Sequence, residues 1–141
     1  MGKLKTIFFI SFLAFLSCEE AATINNYNLC NNCVIINKDL YNNTTTTNYS
    51  ITDVALNGDL LTVKIAASGC DGNTWKATLV DSGATAESFP LQRFIKIAFE
   101  NKEDCLAVVG QEFTFNIKEL KENEPKITLN LEGWDAQINY N

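Results

Sequence analysis

Residues 113–118 read Phe-Thr-Phe-Asn-Ile-Lys, large apolar side chains alternating with polar ones. Side chains two apart on an extended chain share a face, so the stretch predicts a β-strand with one dry side and one wet side. Outward from it, the same period recurs. Leu61, Val63 and Ile65 alternate with Thr62 and Lys64, and Trp75, Ala77 and Leu79 with Lys76 and Thr78. Ile95, Ile97 and Phe99 flank Lys96, and Ile127, Leu129 and Leu131 enclose Thr128 and Asn130. Asn57-Gly58-Asp59 separates two such runs and reads as a hairpin turn that needs a positive φ. Ile138 and Tyr140 give a last short strand. No segment sustains a 3.6-residue period; Lys118 to Glu124 has helix formers but meets Pro125, so one turn is the most it predicts.

About seven short strands at roughly ten-residue spacing predict an all-β domain over residues 49–141. The pattern resembles an antiparallel, immunoglobulin-like β-sandwich, in which two sheets close on one core; a small β-barrel is the alternative. Neither architecture implies an activity, because sandwiches carry adhesion, inhibition, sugar binding and plain spacing alike.

The first 17 residues divide as a secretory signal does, with Lys3 and Lys5 ahead of an apolar run from Ile7 to Leu16 that only Ser11 interrupts. Such a run is too short to cross a bilayer, which takes about 20 residues. It ends Ala14-Phe15-Leu16-Ser17-Cys18, a small residue directly before cysteine. That ending resembles the lipobox of bacterial lipoproteins, although Phe15 stands where the motif usually has leucine. The resemblance implies cleavage before Cys18 and acylation of its thiol and new amine, hence a lipid anchor. Several chains hold where one does not, since each buried methylene contributes about 0.8 kcal/mol. Glu19 and Glu20, followed by an asparagine-rich stretch, resemble the surface-export signal of Bacteroidota lipoproteins. The location implied is the outer membrane, lipid-anchored, on the cell surface or the periplasmic face; the alternative is a cleaved signal and a secreted protein. Residues 18–48 read as the lipidated cysteine and a polar Asn/Thr-rich tether, within which Cys33 to Ile36 has the makings of an edge strand.

Formal charge over the whole chain is −6, and removal of Lys3 and Lys5 leaves 9 basic against 17 acidic groups, or −8. A domain so acidic repels phosphate backbones, so no nucleic-acid partner is expected. The chain has no histidine. That excludes Ser-His-Asp and Cys-His nucleophile arrangements and any zinc site built on imidazole. No catalytic residue, metal or cofactor is therefore expected.

Apart from Cys18, the cysteines are Cys30, Cys33, Cys70 and Cys105, an even number in a chain that reads as exported. Three pairings are possible. Cys30–Cys33 and Cys70–Cys105 are favoured, since Cys70 ends one strand and Cys105 begins another. Cys30-Asn31-Asn32-Cys33 is also the spacing of a redox pair, but it precedes a strand-like run and has no basic residue nearer than Lys38. Gly69-Cys70-Asp71-Gly72-Asn73-Thr74-Trp75 is the most distinctive loop, with Asp71, Asn73 and Trp75 as ligand contacts and a calcium site through oxygens as the sharpest version. Arg93, the single arginine, is a candidate carboxylate clamp or surface pair, with Glu87, Glu100, Glu103 and Asp104 nearby in sequence. Trp134 is a candidate platform for sugar stacking or a plug at the end of the core. The expected function is a non-enzymatic envelope module, anchored to the membrane by lipid and binding an unknown protein or glycan partner or acting as a spacer. Alternatives are a thiol-disulfide or metal protein using Cys30 and Cys33, and a protease inhibitor presenting Cys70 to Trp75 or Asp81 to Pro90.

Overall fold

The computed structural model describes residues 30–141. The signal peptide, Cys18 and the first part of the tether lie outside the described residues. Along the chain run β1 (Val34–Ile36), α1 (Lys38–Asn43), β2 (Ser50–Asn57), β3 (Leu60–Gly69), β4 (Lys76–Ala86), β5 (Leu91–Glu100), β6 (Ala107–Asn116), α2 (Lys118–Lys121), β7 (Ile127–Leu131) and β8 (Ile138–Tyr140).

The strands form two sheets, one in the order β1-β4-β5-β7-β8 and one in the order β2-β3-β6. Neither closes into a barrel among the described residues, so the molecule is an immunoglobulin-like β-sandwich. Neighbours are mostly antiparallel, but β1 runs parallel to β4 and β7 parallel to β5. Both exceptions follow from connectivity. Between β5 and β7 the chain crosses to the second sheet to make β6, so it returns in the direction it left.

The alternating residues supply the core. Leu61, Val63, Ile65, Ile95, Ile97, Phe115, Ile117 and Leu129 are fully buried in one cluster between the sheets. Burying each such side chain contributes about 1.5–3 kcal/mol. The predicted hairpin joins β2 to β3, with Asn57 paired to Leu60 and Gly58 at φ +58. A side chain with a Cβ is strained in that conformation, and glycine is not.

The polar tether is shorter than the sequence suggested, because residues 34–43 belong to the fold. β1 adds to β4 with Val34 opposite Leu79, and α1 lies against the outer side of the same sheet. Asn37 caps α1, its Oδ1 accepting from the Leu40 N–H at 2.8 Å. Leu40 then packs with Val80 and Ala98, flanked by Ile35 and Tyr41, in a second small cluster. β4 is consequently dry on both faces from Ala77 to Ser82, where a period of two predicts one wet side. Thr78 meets its burial by donating its hydroxyl to the Cys30 carbonyl at 2.6 Å.

Candidate functional site

The loop from Gly69 to Trp75 connects β3 to β4, and its glycines are there for close approach. A Cβ on Gly69 would sit 2.6 Å from a Glu103 carboxylate oxygen and 2.7 Å from the Trp75 ring. Gly72 has φ +75, and a Cβ there would meet Gln111 at 2.6 Å. With both side chains absent, successive backbone N–H groups converge on one point. Glu103 Oε2 accepts from the amides of Cys70 at 2.6 Å, Asp71 at 3.3 Å and Gly72 at 3.1 Å. Glu103 Oε1 accepts from the Thr74 hydroxyl at 2.9 Å and the Thr74 amide at 3.4 Å. Such a concavity of amides is an anion-binding nest, and here the anion is the chain's own carboxylate.

Desolvation raises the Glu103 pKa, but the amides of Cys70 and Gly72 and the two Thr74 donors outweigh it and bring the carboxyl down to about 2. The Glu103 segment is held in place from two sides. Cys70 and Cys105 stand at disulfide distance, with Cα atoms 4.9 Å apart. Asn101 braces the turn by donating to the Ser68 carbonyl at 2.6 Å and accepting from the Glu103 amide at 2.8 Å.

Within the loop, Asp71 accepts from both the backbone and the side-chain amide of Asn73, at 3.0 and 2.7 Å, so the two residues satisfy each other. Both are exposed, whereas the inner surface of the loop presents donors. The Glu103 carboxylate takes up those donors, which leaves Asp71 as the loop's outward-facing carboxylate. Trp75 is in the core rather than at the surface, 3% exposed and packed edge-on against Phe99 at 5.2 Å. Its indole N–H is buried with no acceptor among the described residues.

Arg93 is neither part of this loop nor a surface residue. It lies at the other end of β5, opposite Thr85, while the loop end of that strand has Glu100 opposite Lys76. The guanidinium is 3% exposed. Its Nε and Nη2 donate to the two oxygens of Asp81, each at 3.0 Å. Nη1 donates to Glu122 at 2.9 Å and to the Leu120 carbonyl at 3.2 Å. None of the four carboxylates near Arg93 in sequence supplies these partners. The fork of bonds to Asp81 raises the Arg93 pKa against the opposing pull of desolvation, with Glu122 adding to it. Glu122 reaches it from a left-handed backbone conformation at φ +51 just after α2, which costs a non-glycine residue about 1–3 kcal/mol.

Cys30 and Cys33 also stand at disulfide distance, around a turn with Asn32 at φ +59. Cys33 runs directly into β1, so no helix N-terminus follows it to acidify either sulfur. An open cleft of about 390 Å³ adjoins it, lined by Asn32, Cys33, Val34, Asn116, Lys118 and Glu119. Trp134 is half-buried against the core beside a shallow cleft of about 350 Å³ with Ile51, Gly133, Asp135 and Ala136.

Sequence reasoning missed three residues that do most here: Glu103, Asp81 and Glu122. Asp81 was visible as an acid closing the apolar run from Ala77, and a buried acid calls for the chain's one arginine. Glu103 left no side-chain signal, since its partners are backbone amides.

No protein-family model matches the chain, and no curated protein matches it. A solved structure does. The crystal structure of a protein of unknown function DUF1344 from Bacteroides vulgatus superposes with a TM-score of 0.52 at 15% identity. The match covers 79% of this chain and 56% of that one, so the chain spans a little over half that protein's length. What the two share is the fold.

Proposed function

We propose that the protein is an exported lipoprotein, anchored to the outer membrane through acyl chains on Cys18, whose β-sandwich is a non-enzymatic binding or spacer module of the cell envelope. The carrying observation is the cysteine inventory. The chain has five cysteines, and four stand in two pairs at disulfide distance, which leaves Cys18 alone behind its signal-like run. Disulfides persist in oxidising compartments, and a cysteine outside both pairs, directly after a signal-like run, suits acylation. The absence of histidine supports a module that binds rather than transforms. Both strongly held carboxylates, Glu103 and Asp81, bond to groups of the fold itself.

The test is the intact mass of the protein from native membranes, alkylated without prior reduction. A mass beginning at Cys18, heavier by acyl chains and carrying no alkyl label, is the expected result. A mass without lipid, or label on Cys30 and Cys33, would overturn the anchor or the structural reading of that pair.

A further inference from the structure

The two sheets have four edges among the described residues, and three carry the features that stop a strand from pairing with a stranger. β1 and β8 are only 3 residues long. β2 is broken by a register shift between Ile51 and Asp53 and carries the exposed charge of Asp53. Short length, a bulge and a charge are the usual protections of an edge. β6 has none of them over its first half. It pairs with β3 in unbroken register from Ala107 opposite Gly69 to Asn116 opposite Leu60, so no bulge interrupts it. Its other side has no strand partner among the described residues. From Cys105, just before the strand, to Gln111 within it the chain has no charge and no proline; Leu106, ahead of β6, and Val108, in it, are 91% and 80% exposed. Burying those side chains beside a new strand would remove apolar surface from water while the outward N–H and C=O groups gain partners.

We infer that the free edge of β6 is a strand-addition site for an extended segment of another protein, apolar at alternate positions and basic at its ends. The charge distribution selects that occupant. The uncharged stretch is bounded by exposed carboxylates, Asp104 before it and Glu112 after it within β6, and Gln111 at its far end donates to the Asp71 backbone carbonyl at 2.8 Å. Lys102 is the cation nearest the first end in sequence, and Lys64 approaches Glu112 only loosely, at 3.9 Å. A second copy of this chain is the poorer fit. Antiparallel self-pairing centred on Val108 sets Asp104 against the other copy's Glu112 twice. The whole domain is also acidic, and like charges across an edge disfavour pairing. The inference deepens the binding-module reading by naming its surface and partner chemistry, and it stands whether or not Cys18 is acylated.

The test uses the full chain in neutral detergent micelles and three synthetic peptides. One alternates valine and threonine between paired lysines, one has glutamates in place of the lysines, and one is the lysine peptide N-methylated at alternate amides. Hydrogen-deuterium exchange is followed over residues 106–112 and over β2. The lysine peptide is expected to slow exchange in β6 and leave β2 unchanged, with at least tenfold weaker binding by the glutamate peptide and none by the methylated one. Val108→Lys is expected to weaken the lysine peptide at least tenfold, and Glu112→Gln, which leaves the strand intact, severalfold. No protection of β6, or protection indifferent to the flanking charge, would overturn the site or its partner chemistry. Protection that grows with protein concentration in the absence of peptide would replace the partner with a second copy. Loss of the lipid anchor with peptide binding retained would count against the proposed function and leave this inference standing.

Discussion

Two carboxylates of this protein are held by opposite means. Asp81 is fully buried and meets a full positive charge, the guanidinium of Arg93, through two bonds of 3.0 Å. Glu103 is partly exposed and pairs with no cation among the described residues; backbone amides and one hydroxyl surround it. The first arrangement ties the β4–β5 hairpin to the residues that follow α2. The second ties the β3–β4 loop to the segment before β6. The difference lies in what each leaves behind when broken: a stranded charge inside the protein in one case, a set of amides that water can reach in the other.

The largest effect should come from separating the buried pair. Arg93→Met leaves Asp81 without its partner and is expected to cost about 3–5 kcal/mol, read as a lower urea midpoint. Arg93→Met combined with Asp81→Leu should recover much of that loss, because two apolar groups need no partner. A single variant as stable as the parent would mean that the pair is not buried as described.

Next come the disulfides, which differ in loop length. Replacing Cys70 and Cys105 by serine opens a separation of 35 residues and is expected to cost about 4 kcal/mol in the chain-entropy treatment. Replacing Cys30 and Cys33 opens a separation of 3 and should cost about 2 kcal/mol. Parallel urea titrations would separate the two, and equal losses would contradict the loop-length argument.

Glu103 should show itself through pH. Its carboxyl lies at about 2 in the fold against an ordinary 4.5, so the folded state binds its proton less readily than the unfolded chain. The stabilisation it gives is then fully present above about pH 4.5 and disappears as the pH falls toward 2. Thermal melts of the parent and of Glu103→Gln should differ at pH 6 and converge near pH 2. A constant difference across that range would show that the amides do not recognise the charge.

The smallest effect should fall on the exposed pair beside the nest. Asn73→Ala removes only a bond to Asp71 at the surface and is expected to change stability by less than about 1 kcal/mol, with added calcium leaving the melting temperature unmoved.

The same contrast explains how much could be read from the chain. β3 and the second half of β6 are legible because a single dry face imposes a period of two on side chains. β1 was legible as an edge strand within Cys33 to Ile36, but α1 was hidden in the supposed tether: Leu40 is the one buried residue of a six-residue helix, too short to display a period. β4 looked half-wet because its second cover comes from that helix. Arg93 was legible as a clamp but not by its partner. Asp81 faces it across a hairpin whose register shifts between Asp81 and Thr85, and local sequence distance gives no measure of that. The nest around Glu103 betrayed itself only through Gly69, Gly72 and the cysteines at its rim.

The parallel pairing of β1 with β4 also orders events in time. A chain is made from its N-terminus, yet Val34 cannot dock until Leu79, far behind it, has arrived and the β4–β5 hairpin offers an edge. Contacts between residues so distant close slowly, because the intervening chain must be gathered first. The first strand made among the described residues is thus expected to settle late, and until it does, β4 has one side open to whatever else is passing.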